Sequence, residues 1–425
     1  MNLTTSGILP LLKNRNFMVL WVSQLITQLA DKILFILQIL IATNNQFTDY
    51  PKPILSHEAL VMISSTLPAI LFGSLAGIYV DRHDKFRVMI YANIVRASVV
   101  FLLPIFPDSF LYLLVITFVE QIFTQFFAPA EQSAIPLIVD KPNLMAANAM
   151  TASSTMASLI LGYGIGSPVL NSLTNLFPNI TFIRELFVGG CYLVSVVMLL
   201  FIPVREEIAR SSKVHLINDL KDSIAYVRQN LPVGGAILQL MLLYGILGVL
   251  LKLSMNLSKL LIGNQGDFGF FVSGTGAGLA ISALLLGQFS NYFAHRPLPW
   301  LGFMGIAFCL LLFALVPYVN SVPIALVITL ILGFQSSLVL IPMQTIIHHY
   351  TDENMRGKVF GLLNNGQNIA ANIPLIIVTV ILDLSTLWLG EKLGFQVIVI
   401  LVSVLVLVGG RQLWQQSRRA LEKVL

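Results

Sequence analysis

Five charged side chains interrupt long apolar segments of this sequence: Asp31, Lys32, Arg96, Glu120 and Lys252. If those segments lie in lipid, each charge near the bilayer centre costs about 2.5–3.5 kcal/mol on insertion scales. Such residues therefore pair with one another, line a water-filled cavity, bind a substrate or carry a proton. Which of these applies depends on the elements that position them.

The composition places most of the chain in a membrane. Hydrophobic residues make up 56% of its 425 residues, and charged residues make up only 11%. A water-soluble domain of this size could not keep so apolar a surface in solution. In lipid, backbone groups must be satisfied within the protein, which favours helices of about 20 apolar residues.

Twelve segments meet this length requirement, six on each side of a polar linker. We therefore predict an all-α membrane protein with twelve transmembrane helices in two six-helix, pseudo-symmetric halves, an arrangement typical of secondary transporters. Numbered in chain order, the predicted spans are 17–42, 58–80, 88–106, 111–129, 146–172, 186–203, 234–262, 270–290, 298–318, 322–346, 360–383 and 393–410.

The distribution of Lys and Arg predicts a multi-pass protein of the cell membrane with both termini cytoplasmic. With the amino terminus inside, the opposite face holds only Lys52, Arg184, Lys259 and Lys392. This bias already accounts for the formal net charge of +5, so no nucleic-acid partner is needed to explain it.

The longest polar stretch separates the two halves. We predict an amino-terminal half at 1–204, a cytoplasmic linker at 205–232, and a carboxy-terminal half with a basic tail at 233–425. Within the linker, the apolar residues of VHLINDLKDSIAYVRQNLP recur at mostly helical spacing. This pattern favours an amphipathic helix on the membrane surface, and the alternative is a solvated connector.

Arg96 in span 3 and Glu120 in span 4 are predicted to lie about 15 and 14 Å below the outer ends of their helices, at about 1.5 Å per residue. The matched depths predict a pair, which has two interpretations. As a structural pair, it neutralises two buried charges. As a working pair, Glu120 takes up a proton and releases Arg96 during a conformational cycle.

Span 1 carries a polar stripe, and span 4 carries a similar one. We expect Asp31 to line a cavity, with an internal ion pair to Lys32 or Lys252 as the alternative. The residues predicted to form a substrate or proton pathway are Gln24, Gln28, Asp31, Lys32, Arg96, Glu120, Gln125 and Lys252.

The loop between spans 2 and 3 reads GSLAGIYVDRHDKFRVMI and resembles the signature loop of the major facilitator superfamily. Its matching residues are Gly77, Asp81, Arg82, Lys85 and Arg87. Gly77 permits close helix contact, whereas Asp84 stands where the family usually has Gly, which leaves the loop less free to turn. The resemblance implies that Asp81 meets the start of span 11, beside Arg356 and Lys358, and closes the cytoplasmic side. The alternative is that these basic residues serve topology alone.

Other segments resemble the efflux branch of that superfamily, which includes macrolide, siderophore and lysophospholipid transporters. They are LLKNRNFMVLW, FFAPAEQSAIPLIVDKPNLMAANAM and MRGKVFGLL. The segments QLADKILF, RVMIYAN and ANAMTASSTMASLILG are particularly similar to lysophospholipid transporters. The resemblance covers nearly the whole chain and implies that spans 1, 4, 7 and 10 line a central cavity.

Two glycine-rich segments favour close helix contact. In LGYGIGSPVL of span 5, Gly162 and Gly166 form a small-residue face and Pro168 favours a kink. This segment is similar to a glycine–proline motif of superfamily exporters, so plain packing and an export-specific hinge are both open. Around Gly274, SGTGAGLA lacks the strand and the Lys of a phosphate loop, and we interpret it as helix packing.

These features lead us to expect a secondary active transporter that exports an amphipathic small molecule by alternating access, with protons as a candidate coupling ion. The alternative is a lysophospholipid flippase in which Asp31, Lys32 or Lys252 contacts the headgroup. An enzyme or a channel is disfavoured, because no catalytic constellation clusters on a loop and two repeated halves imply alternating access. We predict no enzymatic activity, cofactor or metal, and a monomer whose partners are the lipid bilayer and a small amphipathic substrate.

Overall fold

The computed structural model describes residues 8–44, 47, 55–203, 216–288, 297–352 and 355–422, and every regular element in these ranges is helical. The chain divides into two compact units, Met1–Ser212 and Lys213–Leu425. The division falls within the predicted linker at 205–232, of which residues 205–215 lie outside the described ranges.

The first unit has one short helix and six long ones. The loop side chains Ser56, Asp84 and Ser109 accept backbone N–H groups at the starts of three of them, which satisfies donors that a helix leaves unpaired. The helices are α1 Ile8–Lys13, α2 Arg15–Asn44, α3 His57–Asp81, α4 Lys85–Leu102, α5 Phe110–Ile138, α6 Leu144–Leu176 and α7 Ile183–Leu200.

The second unit repeats this organisation after a helix at the predicted amphipathic segment. Gly263 and Asn320 end two of its helices in the left-handed conformation, and Gly390 ends a third at a φ of 82°. The helices are α8 Leu216–Gln229, α9 Leu231–Ile262, α10 Gly269–Gln288, α11 Leu298–Val319, α12 Val322–Tyr350, α13 Arg356–Leu389 and α14 Glu391–Glu422.

Among the described residues, eleven helices are long and apolar enough to cross a membrane. The predicted span 2 corresponds to α3, a helix of 25 residues in which the described side chains are continuous only over His57–Gly73. Several helices extend past the predicted spans: α5 continues beyond 129 to Ile138, and α13 continues beyond 383 to Leu389. Prolines inside α5 do not end it, as is common where neighbouring helices support the backbone.

The same five helix pairs hold each unit together. In the first unit they are α2–α6, α2–α7, α3–α5, α4–α5 and α4–α7. In the second unit they are α9–α13, α9–α14, α10–α12, α11–α12 and α11–α14. Adding seven to both helix numbers of a pair in the first unit gives the corresponding pair in the second unit. The two units are therefore pseudo-symmetric helical bundles, as predicted.

Glycines permit the closest of these contacts. A Cβ at Gly278 of α10 would overlap the backbone oxygen of Leu330, and one at Gly333 of α12 would overlap that of Thr275. A Cβ at Gly274 would lie 2.6 Å from Thr329 Oγ1. The interpretation of SGTGAGLA as a helix-packing segment is thus confirmed, since small residues let two backbones approach.

Candidate functional site

Arg96 lies at the centre of a buried polar cluster in the first unit. It projects from α4 with a fully buried side chain, and its Nε donates to Oε1 of Glu120 on α5 at 2.9 Å. The contact predicted from their matched depths is therefore present. Its Nη2 also donates to Oδ1 of Asp31 on α2, so one guanidinium serves two carboxylates.

Tyr192 of α7 completes this arrangement and was not predicted. Its hydroxyl donates to Oδ1 of Asp31 at 2.8 Å and accepts from Nη2 of Arg96 at 2.9 Å. The Arg96 guanidinium carbon also lies 4.3 Å from the centre of the Tyr192 ring, which adds a cation–π contact. The only signal in the sequence was a tyrosine in the middle of an apolar span, and such a residue needs a partner for its hydroxyl when buried.

Asn93, one turn before Arg96 on α4, extends the hydrogen bonds to a second layer. Its Oδ1 accepts from Arg96 Nη1 at 3.2 Å, and its Nδ2 donates to Ser195 Oγ at 2.9 Å and Thr27 Oγ1 at 3.2 Å. The Ser23 and Ser195 hydroxyls lie 2.7 Å apart. This layer joins α2, α4 and α7, and none of its members was predicted.

Glu120 has further donors on its own helix. Its Oε1 accepts from Thr124 Oγ1 at 3.1 Å, and its Oε2 accepts from Gln121 Nε2 at 3.0 Å. We call Asp31, Asn93, Arg96, Glu120 and Tyr192 the Arg96 cluster. With both carboxyl groups ionised, the cluster has one more negative charge than positive.

The alternative partners proposed for Asp31 were wrong. Its side chain is bound to Arg96 rather than to Lys32 or Lys252, and it is 19% exposed. Adjacent residues on a helix point about 100° apart, which sends Lys32 toward a different neighbour. The Nζ atom of Lys32 lies 5.7 Å from the ring centre of Tyr163 on α6.

The glutamines of the predicted pathway do not join the Arg96 cluster. Gln24 is 2% exposed, and its side-chain Nε2 has no hydrogen-bond partner among the described residues. The Oε1 atom of Gln28, one turn along α2, also lacks one in that part of the chain. On α5, Gln125 Nε2 donates to the backbone oxygen of Gln121 at 3.4 Å.

Lys252 has its partner within the second unit. Its Nζ lies 2.9 Å from Oδ1 of Asp383, and the two side chains are 1% and 9% exposed. Asp383 was not predicted, because span 11 was expected to end there, whereas α13 continues for six more residues, to Leu389. This pair joins α9 to α13.

The predicted gating residues are described only in part. The side chains of Asp81, Arg356 and Lys358 lie outside the described part of the chain. A Cβ at Gly77 would meet no described atom within 4 Å, so the close helix contact predicted there is not found.

The same loop explains the departure from the family pattern. Asp84 has a φ of −60°, which requires no glycine, and its carboxylate accepts from the backbone N–H of Arg87 at 3.0 Å. It therefore begins α4 as a helix cap. Arg82 and Arg87 are exposed, whereas Lys85 is buried.

The glycines predicted for packing in α6 face α2. A Cβ at Gly162 would lie 2.7 Å from Lys32 Cβ, and one at Gly166 would lie 2.5 Å from Ile36 Cδ1. Pro168 is exposed, and α6 remains helical across it. No group of three or more metal-binding side chains occurs within the described ranges.

An apolar cavity of about 610 Å³ lies between α3, α4 and α5. Phe123 and Phe126 line it, whereas Phe127 belongs to the buried core. The remaining lining residues are Tyr79, His83, Asp84, Arg87, Val88, Tyr91, Ala92 and Ile122. The cavity thus combines aromatic walls with a polar rim.

Comparison with known proteins agrees with this architecture. Residues 20–373 match the family model of the Major Facilitator Superfamily. The uncharacterized MFS-type transporter YfiS of Bacillus subtilis is 24% identical over 97% of both chains. Macrolide efflux protein A of Enterococcus faecalis is 27% identical over 53% of this chain and 70% of its own length.

Solved structures support the same fold. A bacterial homolog of the human lysosomal transporter Spinster, in an inward-facing and unoccupied conformation, has a TM-score of 0.74 at 13% identity and covers 96% of this chain and 97% of its own. The nucleoside transporter NupG has a TM-score of 0.70 at 11% identity, with 94% and 98% covered. The family match over most of the length shows that this chain belongs to the major facilitator superfamily and is a membrane transporter.

Proposed function

We propose that this transporter is a secondary active exporter that moves an amphipathic small molecule by alternating access and uses a proton gradient. Similarity to macrolide efflux protein A supports export of a partly apolar substrate. Two repeated six-helix units support alternating access, in which two halves move around a shared site.

The observation that carries the proton-driven form of this proposal is the Arg96 cluster. It binds α2, α4, α5 and α7 through buried ionic and hydrogen bonds, so these helices are expected to move as one body. Its two carboxyl groups and one guanidinium leave a surplus of negative charge within spans. Buried ionisable residues at this depth are characteristic of ion-coupled transporters.

Buried polar atoms without partners support a substrate that has a polar part. Gln24 Nε2 and Gln28 Oε1 lack hydrogen bonds within the described residues, although they lie in an apolar span. A buried amide left unpaired is costly, and a ligand that donates and accepts hydrogen bonds removes that cost. The aromatic cavity between α3, α4 and α5 is a candidate surface for the apolar part.

A lysophospholipid flippase remains the second candidate, and the surroundings of Lys32 favour it. Among the described residues, Lys32 forms no ion pair, and its ammonium group faces the Tyr163 ring. Lys32 is therefore the cation best placed to bind a phosphate. Asp31 and Lys252, the other predicted headgroup contacts, already have charged partners.

A closed cytoplasmic gate is the proposed role of Asp81 with Arg356 and Lys358. Asp81→Asn should lower the transport rate while the protein still inserts into the membrane, since the closed state loses an anion at a helix start. Glu391→Gln removes the same charge at an exposed carboxylate outside the gating motif, and it should leave the transport rate unchanged. An unchanged rate in Asp81→Asn would exclude the gate.

Inverted membrane vesicles test the functional proposal. Vesicles with an acidic lumen should accumulate a labelled macrolide or another amphipathic cation, and collapse of the gradient with a protonophore should abolish accumulation. Vesicles without the transporter are the control. Movement of a labelled lysophospholipid at the same rate with and without the gradient would instead establish the flippase.

A further inference from the structure

Glu131 is a buried carboxyl group for which the Arg96 cluster provides no partner. It lies on α5 with 5% of its surface exposed. Within the described ranges it forms no ion pair, and no hydrogen bond to its side chain is found. It shares the buried face of α5 with Phe127, Ala130, Ala134 and Ile135, which belong to one apolar core.

Among the described side chains, the helices packed against α5 supply no ion pair to Glu131. These helices are α2, α3, α4 and α6. Their charged and titratable residues are Arg15, Asp31, Lys32, His57, Glu58, Tyr79, Lys85, Arg87, Tyr91, Arg96 and Tyr163, together with Asp81, whose side chain is not described. Asp31 is the group whose charge acts on Glu131, and it is itself an acid.

Glu120 and Glu131 therefore have opposite surroundings on the same helix. They are separated by three turns, so both lie on the inner face of α5. Glu120 accepts hydrogen bonds from Arg96, Thr124 and Gln121, which stabilise it as a carboxylate. Glu131 shares its face of α5 with apolar side chains and has no cation or hydrogen-bond donor among the described residues, and an ionised carboxylate is disfavoured in such surroundings. Two acids with different environments on one element are suited to two different roles.

We propose that Glu131, rather than Glu120 or Asp31, binds and carries the coupling proton, an inference that rests on the proton-driven function proposed above. In the conformation described here Glu131 is the neutral acid. When its surroundings become hydrated, its O–H bond breaks and the proton passes to water on that side. The carboxylate then takes a proton from water on the opposite side after the units have rearranged.

The position of Glu131 along α5 fits this role. It lies seven residues before Ile138, about 10 Å from that end of the helix, whereas Glu120 lies about 27 Å from it. The predicted topology assigns this end to the cytoplasm. A proton released there leaves on the cytoplasmic side, as an exporter driven by proton entry requires.

The first test needs no substrate. Full-length protein in lipid nanodiscs should show, at neutral pH, the infrared carbonyl band of a protonated carboxylic acid. Glu131→Gln should abolish that band, and Glu391→Gln, at an exposed carboxylate paired with Lys259, should retain it. A band equally strong in Glu131→Gln, or no band in the parent protein, overturns the assignment. Glu131→Leu, which suits the apolar surroundings, repeats the test if the glutamine variant does not fold.

The second test separates this assignment from the general function. In inverted vesicles with an acidic lumen, substrate accumulation by Glu131→Gln should be at least tenfold lower than that of the parent protein. Exchange of labelled for unlabelled substrate should continue. If the parent is gradient-driven and Glu131→Gln accumulates substrate equally well, the role of Glu131 is overturned and proton-driven export stands. If the parent transports without any response to the gradient, proton coupling itself is overturned, and the coupling role of Glu131 with it.

Discussion

The two units have the same helix pairs but different buried charges. In the first unit, one guanidinium binds two carboxylates and a tyrosine hydroxyl; in the second, Lys252 binds Asp383. The Lys252–Asp383 pair is neutral, whereas the Arg96 cluster has a surplus carboxylate. The two units therefore share the same helix contacts but differ in the buried charged residues that those contacts enclose.

Loss of Arg96 should be the most damaging single change to either set of charges. Arg96→Leu leaves Asp31 and Glu120 buried without their cation, and stranding a buried charge costs roughly 3–5 kcal/mol. Lys252→Leu strands Asp383 alone, so its unfolding midpoint in detergent should fall less than that of Arg96→Leu. The opposite order would show that the Arg96 cluster contributes less to stability than the single pair.

Double variants sharpen the same comparison. Lys252→Leu combined with Asp383→Leu removes both charges of the second unit and should recover most of the stability lost in Lys252→Leu. Arg96→Leu combined with Glu120→Leu should recover only part, because Asp31 still lacks its cation. Thermal unfolding of the four single and two double variants measures both couplings. Full recovery in the first unit would mean that Asp31 does not depend on Arg96.

Glycine contacts should also differ between the units. An added methyl at Gly333 overlaps a backbone oxygen of α10, which cannot move without shifting the helix. At Gly166 the methyl meets the terminal carbon of the flexible Ile36 side chain. We expect Gly333→Ala to lose about 1–3 kcal/mol and Gly166→Ala to lose less, as measured by thermal unfolding. Equal losses would place a rigid obstacle at Gly166 as well.

The last comparison removes one hydroxyl. Tyr192→Phe loses the hydrogen bonds to Asp31 and Arg96 but keeps the ring against the guanidinium. A loss of about 1–3 kcal/mol is expected, because a buried charged group is left with fewer partners. Tyr318→Phe is the matched control, since its hydroxyl bonds Gln396 at an exposed site and should cost less. A Tyr192→Phe variant as stable as the control would remove Tyr192 from the cluster.

Hydropathy predicted the architecture well because every span must be apolar over a fixed length. The Arg96–Glu120 contact was also predictable, because residues at equal depth on adjacent spans can meet. The bond from Asp31 to Arg96 was not, since it depends on how α2 is rotated. Tyr192 and Asn93 were missed because an uncharged polar residue in a span gives only a weak signal.

Two buried acids were missed for one physical reason. Asp383 was placed at the last residue of span 11, and Glu131 lay two residues beyond the predicted end of span 4 at 129. A hydropathy window ends a span at a charge, whereas backbone hydrogen bonding continues α13 to Leu389 and α5 to Ile138. Acids just past a predicted span end are therefore the ones that sequence reasoning underestimates, and Glu131 is the more consequential of the two.

Proton flux during substrate movement tests the central claim, proton-driven export, most directly. Purified transporter is reconstituted into liposomes that hold a pH-sensitive dye, and a steep gradient of a transported amphipathic compound is imposed with equal pH on both sides. Downhill movement of the compound should drive protons in the opposite direction, so that the lumen pH changes in proportion to the compound moved. Movement of the compound at the same rate with no change in lumen pH would contradict proton-driven export.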